Sequence, residues 1–320
     1  MKTYLITGGA GFIGTNLTKE LLASGNKVIV LDNFNTYYDN NIKYNNIISY
    51  TNNPNYLLYK GDIKDRTDIK EVLDNNHVDI IIHLAALVGV RSSIDNELEY
   101  YRNNVNGTIT LIEEARNHNI NNIVLASSSS VYGNNPIPFK EDMDLNSIIS
   151  PYAKTKRACE LIAKDYHELY DMNIICLRFF SVYGPHQWPD EAIHKFVDLM
   201  YNYEDIPLYG DGNSTRDYTY VGDIVDGIIK SSEYIFNNNH VYQVLNLGTG
   251  NQTSLNDLIL LLSDELKINP AITRLPKQLG DVDNTCADIT KAYKIIGYKP
   301  KYTINEGIKE FIKSYKNEHR

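Results

Sequence analysis

The chain has 320 residues, of which 42% are hydrophobic and 22% are charged, and this is enough apolar material for one large or two modest globular domains. These proportions exclude a disordered or fibrous protein. The formal net charge of −9 argues against non-specific binding to nucleic acids or anionic membranes, so any phosphate group must be bound at a local site.

The cysteines, Cys159, Cys176 and Cys286, lack metal-binding spacing, which predicts free thiols in a reducing compartment and no metal site. The N-terminus leads directly into a strand-like segment and not into the apolar core of a signal peptide. The longest apolar run, residues 80–90, is too short to span a bilayer. We therefore expect a cytoplasmic protein that binds neither membranes nor nucleic acids.

In the first half of the chain, short runs rich in β-branched residues alternate with helix-like segments. We predict strands over residues 3–7, 27–31, 56–59, 79–83, 122–126 and 174–178. We predict helices over residues 12–23, 65–75, 98–117 and 151–170, the last with Pro151 in its first turn. Strands separated by helices indicate an α/β protein with a doubly wound parallel sheet, which binds ligands at its carboxyl edge.

After residue 181 the alternation is less regular, with helices predicted near residues 191–203, 255–266 and 304–316. Residues 218–250 are predicted to rejoin the parallel sheet. We therefore expect residues 1–180 together with 218–250 to form the sheet domain. Residues 181–217 and 251–320 are expected to form a smaller C-terminal α/β domain that binds substrate.

The segment TGGAGFIG follows the first predicted strand and opens the first helix. Gly8 permits the tight turn, Gly11 lets the backbone approach a pyrophosphate at the helix N-terminus, and Gly14 allows close helix packing. Asp32, at the end of the second strand, can accept hydrogen bonds from ribose hydroxyls and would repel a 2′-phosphate. Asn33 follows where a basic residue would suit NADP. This context predicts a Rossmann-type domain that binds NAD.

Further cofactor contacts are expected in the same glycine loop and in the loops after the third and fourth strands. The residues concerned are Phe12, Ile13, Asp62, Ile63, Leu84, Ala85 and Ala86. His83, at the end of the fourth strand, is expected to be a packed core residue and not a ligand.

A second group of motifs carries acid–base chemistry. The spacing of Tyr152 and Lys156 places both on one face of a helix. An ammonium group near the phenol would favour phenolate and lower its pKa from about 10, which gives a general base. Ser128, in the run ASSSSVYG at the end of the fifth strand, could share the reacting oxygen with Tyr152. With the glycine motif, these residues predict an NAD-dependent enzyme.

On these motifs the chain resembles the extended short-chain dehydrogenase/reductases that act on nucleotide sugars, and most closely the UDP-glucuronate 4-epimerases. The resemblance runs nearly from end to end. It rests on TGGAGFIG, DNFNTYYD, HLAALVGVR, NNVNGT, ASSSSVYG, YAKTK, LRFFSVYGP, GDGNSTRDYTYVGDIV and QLGDVDNTCADITKAYKIIGYKP. It implies an isomerase that inverts C4 of a UDP-sugar through a 4-keto intermediate, most closely UDP-glucuronate to UDP-galacturonate, with NAD regenerated in each turnover.

The resemblance also implies roles for individual residues. Tyr152 would act as base and acid, Lys156 as its activator and as a ligand of the nicotinamide ribose, and Ser128 as the hydroxyl partner. Asn104 in NNVNGT would contact the cofactor. Arg216 in STRDY would bind the UDP pyrophosphate, which suits the bidentate geometry of a guanidinium group.

Additional residues are candidates for the substrate cleft. Arg91 and Lys195 are two of them, whereas Arg178 is expected to be structural. The 4-keto form of a glucuronate is a β-keto acid that readily loses CO₂. Ser129, Ser130 and Ser181 could hold its carboxylate by hydroxyl hydrogen bonds and suppress that loss.

Alternatives remain open at this point. Glucuronate epimerases typically read W-G-R-P-D after the VYGP motif, and Trp188 takes the place of that arginine here. Trp188 either removes a cation from the sugar site, which would suit UDP-glucose or UDP-N-acetylglucosamine, or only packs as an aromatic side chain. A nucleotide-sugar 4,6-dehydratase would carry Asp-Glu where Ser129 and Ser130 stand, and a non-catalytic NAD sensor would be expected to lose Tyr152 or Lys156.

The resemblance also implies an oligomeric state. Relatives commonly form homodimers through two helices of each subunit that correspond to residues 98–117 and 151–170. We therefore expect a homodimer.

Overall fold

The computed structural model describes residues 1–276 and 282–318, and a parallel sheet lies at its centre. The strands are β1 (Thr3–Thr7), β2 (Lys27–Asp32), β3 (Tyr56–Lys60), β4 (Ile80–His83), β5 (Asn122–Ser128), β6 (Asn173–Phe179), β7 (Ser181–Tyr183), β8 (Ile206–Tyr209), β9 (Thr215–Arg216), β10 (Tyr218–Tyr220), β11 (Tyr242–Leu247), β12 (Thr253–Ser254) and β13 (Ile272–Leu275). The central sheet has seven strands in the order β11-β6-β5-β4-β1-β2-β3. All neighbouring strands in it are parallel, which confirms the predicted Rossmann-type α/β fold.

The helices connect these strands and cover both faces of the sheet. They are α1 (Phe12–Ala23), α2 (Asn40–Ile47), α3 (Arg66–Asn75), α4 (Val90–Asp95), α5 (Glu97–Tyr100), α6 (Gly107–Asn117), α7 (Pro151–Tyr170), α8 (Ala192–Tyr201), α9 (Val221–Asn237), α10 (Leu255–Leu266), α11 (Thr290–Ile296) and α12 (Ile304–Glu318). The predicted helix over residues 98–117 is interrupted by a π-helical turn, Tyr101–Asn106. Helix α2 was not predicted, because its asparagine-rich sequence shows no apolar periodicity.

Apolar side chains fill both faces of the central sheet. On one face, Leu17 of α1 and Ile224 and Ile228 of α9 pack against the strands. On the other face, α3, α6 and α7 contribute side chains such as Ile69 and Leu111. The sheet is therefore buried on both sides, which leaves the carboxyl ends of its strands as the edge available to ligands.

A separate core cluster lies among α8, α10 and α12, where Phe196, Leu258 and Phe311 are buried. Strand β11, in the segment 218–250, joins the central sheet beside β6. Ile296 and Tyr298 pack into the core of the central sheet, because α11 lies against α9 and β11.

Within the described residues, no helix is both long and apolar enough to cross a membrane. In the same part of the chain, His, Cys, Asp and Glu side chains form no group of three that could hold a metal ion. Cys159 and Cys176 are buried free thiols, and Cys286 is a half-buried one. The start of the C-terminal motif, residues 278–281, lies outside the described residues.

Candidate active site

A cleft of about 430 Å³ opens at the carboxyl ends of β1, β2, β4, β5 and β6. It brings together most of the residues predicted to bind cofactor or to act in catalysis. These are Gly8, Gly11, Phe12, Ile13, Gly14, Asp32, Asn33, Ile63, Leu84, Ala85, Ala86, Ser128, Ser129, Ser130, Tyr152, Lys156 and Ser181. Residues from distant parts of the sequence thus meet where parallel sheets bind ligands.

The glycine loop between β1 and α1 forms one wall of the cleft. Gly8 has a φ of +72°, and a Cβ atom there would lie 2.8 Å from the Ala85 nitrogen. A Cβ atom on Gly14 would lie 2.5 Å from the Gly8 carbonyl oxygen. No side chain caps the N-terminus of α1 in the described part of the chain. This helix end therefore offers backbone N–H groups to an anion, which fits the pyrophosphate of a dinucleotide.

Asp32 lies buried at the end of β2 and is held by the backbone. Its carboxylate accepts hydrogen bonds from the Ala10 N–H at 3.0 Å and from the Phe34 N–H at 2.9 Å. Asn33 donates to the Asp62 carboxylate at 3.0 Å. Asn33 lines the cleft, whereas Asp62 is not among the lining residues.

Lys43, on α2, is a residue of this cleft that the sequence analysis missed. The side chain is buried, and its ammonium group donates to the Asn35 backbone oxygen at 2.9 Å and to the Asn35 side-chain oxygen at 2.8 Å. Burial lowers the pKa of Lys43, and the nearby charge of Asp32 opposes that shift. Its sequence signal was weak because α2 itself shows no helical pattern.

Asn104 lies in the π-helical turn and is also absent from the lining of the cleft. Its side-chain oxygen accepts from the Leu87 N–H at 2.8 Å, and its amide donates to the Leu87 oxygen at 2.9 Å and to the Thr155 hydroxyl at 3.1 Å. Asn104 therefore ties the loop after β4 to α7.

His83 is buried between two threonine hydroxyls. Nδ1 lies 2.7 Å from the Thr7 hydroxyl and Nε2 lies 2.9 Å from the Thr108 hydroxyl. Burial, with a smaller effect from the charge of Lys156, lowers the pKa of His83 to about 3. The imidazole is therefore neutral at physiological pH, as a core histidine would be.

Tyr152, Lys156 and Ser128 meet at the inner end of the cleft. The Lys156 ammonium group donates to the Ala126 carbonyl oxygen at 2.9 Å, and the Ser128 hydroxyl accepts from the Ser130 N–H at 3.1 Å. Burial raises the pKa of Tyr152 to about 12, while a hydrogen bond with Ser128 opposes the rise. Burial also lowers the pKa of Lys156.

The sequence predicts that the ammonium group of Lys156 lowers the pKa of Tyr152, but burial raises that pKa instead. Both side chains are buried, and burial disfavours the charged form of each group. The lysine is also engaged with the Ala126 carbonyl oxygen. Burial therefore favours the neutral form of the Tyr152 phenol.

Arg216 lines a smaller cavity of about 140 Å³ that shares Ser129, Ser130 and Ser181 with the main cleft. Its guanidinium group donates to the Thr215 carbonyl oxygen at 2.9 Å and to the Asp283 carbonyl oxygen at 3.2 Å. The serines thus lie between the main cleft and a guanidinium group. An anionic group in the smaller cavity would sit beside that cation.

The three other basic residues discussed in the sequence analysis do not line the main cleft. Arg91 is exposed and lies over the Tyr209 ring, with 5.4 Å between the guanidinium carbon and the ring centre. Lys195 is exposed on α8 and does not line the cleft. Arg178 is 1% exposed and forms an ion pair with Glu160 at 2.8 Å. The expected structural role of Arg178 agrees with this burial.

Trp188 and Glu191 close the cleft from the loop before α8. The Trp188 ring lies 5.1 Å from the Tyr37 ring and 6.3 Å from the Tyr38 ring, so it packs and lines the cleft at once. Glu191 was missed by the sequence analysis. Burial and the neighbouring Asp190 raise the pKa of Glu191 to about 7.

Comparisons with known proteins agree with this geometry. The family model described as GDP-mannose 4,6 dehydratase matches residues 5–311. A UDP-glucuronate 4-epimerase of Thermodesulfobacterium geofontis is 37% identical over 313 residues, which cover 98% of this chain and 95% of the relative.

Two solved structures extend the comparison. The UDP-glucuronic acid 4-epimerase from Bacillus cereus, in complex with UDP-glucuronic acid and NAD, superposes with a TM-score of 0.92 at 32% identity and 98% and 99% coverage of the two chains. The UDP-N-acetylglucosamine 4-epimerase from Methanobrevibacter ruminantium M1, in complex with UDP-N-acetylmuramic acid, gives a TM-score of 0.90 at 33% identity and 99% coverage of both.

Proposed function

The chain belongs to the extended short-chain dehydrogenase/reductase family of nucleotide-sugar enzymes, and from this premise we propose that its cleft inverts C4 of a UDP-hexose. It is an NAD-dependent UDP-sugar 4-epimerase, an isomerase. The observation that carries the proposal is the meeting of Tyr152, Lys156 and Ser128 with the glycine loop in one cleft.

We assign NAD to the wall formed by the glycine loop and Asp32. The uncapped N-terminus of α1 would receive the pyrophosphate, and the fixed carboxylate of Asp32 would accept from the adenosine ribose hydroxyls. Lys156 would donate to the nicotinamide ribose. When bound, NAD supplies the acceptor for the C4 hydride, the return of that hydride, and a positive charge close to the phenol.

The protein groups handle the proton of the C4 hydroxyl. Tyr152, as phenolate, would take this proton during oxidation and return it during reduction. Ser128, which lines the cleft with Tyr152, would share the reacting oxygen. Arg216 would hold the UDP pyrophosphate, so that the 4-keto sugar can rotate while its nucleotide stays bound.

Two candidate substrates are supported by different observations. The relatives described as UDP-glucuronate 4-epimerases support UDP-glucuronate, and Ser129, Ser130 and Ser181 would then donate hydroxyl hydrogen bonds to its carboxylate. A neutral UDP-hexose is the second candidate, because Trp188 lines the cleft and stands where the resemblance to UDP-glucuronate 4-epimerases implies an arginine.

We also propose a homodimer formed through α6 and α7. Large apolar side chains on these helices and the adjoining α5 are exposed, including Leu98 at 64%, Leu161 at 47% and Leu169 at 71%. Exposed apolar side chains of this size favour burial against a second copy. Light scattering should give about twice the 36.5 kDa chain mass, and a Leu161→Glu variant should give the monomer mass. A monomeric wild type would contradict the proposal.

The free cysteines support a cytoplasmic location.

The activity is tested by incubating the protein separately with UDP-glucuronate, UDP-glucose and UDP-N-acetylglucosamine, without added reductant, and identifying products by proton NMR. We expect inversion at C4 of at least one sugar with no loss of its C6 oxygen. A 4-keto-6-deoxy product would indicate a dehydratase. No conversion of any sugar would overturn the proposed activity.

A further inference from the structure

Glu191 places a carboxylate inside the cleft, close to the residues proposed for sugar chemistry. It lies just before α8 and lines the cleft with Tyr152, Ser128 and Ser181. Its side chain is half-buried, whereas the adjacent Asp190 is exposed and does not line the cleft. The Glu191 side chain is therefore directed inward while its neighbour faces solvent.

The Glu191 carboxylate lacks a protein partner. Within residues 1–276 and 282–318, no hydrogen bond or ion pair to its side chain is found, and although Glu191 is the N-cap residue of α8, its side chain makes no capping hydrogen bond. Its negative charge contributes to the raised pKa of Tyr152 and also to that of Tyr218, which places it within electrostatic range of both phenols. An unpartnered acceptor in a half-buried site is available to a ligand that donates hydrogen bonds.

The cations of the cleft are engaged elsewhere. Among the described residues that line it, the basic side chains are Lys43 and Lys156. Lys43 donates to Asn35, and Lys156 donates to the Ala126 carbonyl oxygen. Arg216 lines the smaller cavity, where it is assigned to pyrophosphate. The part of the cleft around Glu191 thus presents an unpartnered carboxyl group, which is an acceptor with a negative charge above its pKa of about 7.

We infer that Glu191 makes the sugar-binding part of this cleft select an uncharged hexose over a hexuronate. The inference rests on the proposed 4-epimerase function and names its substrate class. A hexuronate would bring a second carboxylate into a site where water screens it poorly, and like charges there repel. An uncharged hexose carries hydroxyl or amide N–H groups that can donate to Glu191. Glu191 is therefore a specificity-determining residue and not the base.

The test compares wild type, Glu191→Gln and the matched control Asp190→Asn, each loaded with NAD. The kcat/KM for C4 inversion is measured by proton NMR with UDP-glucuronate, UDP-glucose and UDP-N-acetylglucosamine at about pH 8.5, where Glu191, with its pKa of about 7, is ionised. We expect wild type to prefer a neutral sugar by at least about 10-fold, since two like charges in a poorly screened site repel each other. Glu191→Gln should raise kcat/KM for UDP-glucuronate about 10-fold or more, and Asp190→Asn should leave the ratio between sugars unchanged.

Binding provides a readout that does not depend on turnover. Isothermal titration calorimetry should show that Glu191→Gln binds UDP-glucuronate more tightly than wild type does, while UDP itself binds both equally. A wild type that prefers UDP-glucuronate overturns the inference. An unchanged ratio of kcat/KM values between the sugars in Glu191→Gln also overturns it. An equal loss of kcat/KM with every sugar overturns it as well, because such a loss would place Glu191 in the catalytic machinery. If wild type inverts no sugar, the 4-epimerase proposal fails, and the calorimetric comparison still decides the role of Glu191.

Discussion

The buried ion pair between Arg178 and Glu160 makes a sharp prediction, because it joins β6 to the helix that carries Tyr152. Arg178 is 1% exposed and Glu160 is fully buried, and two guanidinium nitrogens of Arg178 each lie 2.8 Å from a carboxylate oxygen of Glu160. Ser127 donates to the same carboxylate at 2.6 Å. Burial alone would raise the pKa of Glu160, but the bonds with Arg178 outweigh it and leave that pKa below its usual range.

Replacing Glu160 by Ala leaves a buried guanidinium group without its counter-ion. Breaking one side of such a pair costs about 3–5 kcal/mol in the free energy of unfolding. In a chain of 320 residues this loss lowers Tm by about 4–7 °C. Thermal unfolding followed by circular dichroism, at one fixed NAD concentration and one scan rate, measures the shift.

Two further variants make the test specific to the pair. Glu160→Leu combined with Arg178→Met removes both charges and should recover most of the lost stability, because paired apolar replacements of buried ion pairs are often close to neutral. Lys164→Ala removes an exposed ion pair with Glu168 on the same helix and should cost less than about 1 kcal/mol. A Glu160→Ala variant no less stable than Lys164→Ala would refute the reasoning.

Three other predictions follow from the cleft and its supporting core. Tyr152→Phe should lower the rate of C4 epimerisation by about 10³-fold and leave the Kd for NAD within a few-fold of wild type in a fluorescence titration; a loss below tenfold would count against Tyr152 as the base. Gly8→Ala, with its Cβ atom 2.8 Å from the Ala85 nitrogen and a φ of +72°, should lower both Tm and NAD affinity in calorimetry, and unchanged values would contradict the assignment of that loop. Because the folded pKa of His83 is lowered to about 3, its contribution to stability is present above the unfolded pKa of about 6.5 and decreases as pH falls from there towards 3. Urea unfolding between pH 7 and 5 should therefore show a smaller loss of stability in His83→Gln than in wild type, and equal losses would contradict this account.

Most of the fold follows from local patterns in the sequence. Runs such as Thr3–Thr7 are rich in β-branched residues and are followed by glycines and a helix, so the strands and their parallel pairing could be predicted. Helix α2 could not, since its stability depends on Lys43 and Ile47 being buried against other elements. The π-helical turn also escaped prediction, because the Asn104 contacts with Leu87 and Thr155 that accompany it join residues far apart in the chain.

In the candidate site, too, the features that depend on local spacing could be predicted, and those that depend on tertiary packing could not. The glycine loop and the pair Tyr152 and Lys156 depend on spacing within one segment, and the structure places them together. The direction of the Tyr152 pKa shift was wrong because it depends on burial, which spacing does not report. Glu191 was missed because its place in the cleft depends on how the loop before α8 folds against α1 and α2, where His186 contacts Lys19 at 2.7 Å and Asn46 at 3.0 Å.

The central claim is that C4 is inverted by removal and return of its own hydride. The most direct measurement is to carry out the epimerisation in D₂O and examine C4 of the product by proton NMR. We predict that the C4 hydrogen remains protium and that no net NADH forms, since Tyr152 exchanges only the hydroxyl proton. Deuterium at C4 of the product would show that the carbon is deprotonated to solvent, and it would contradict the account.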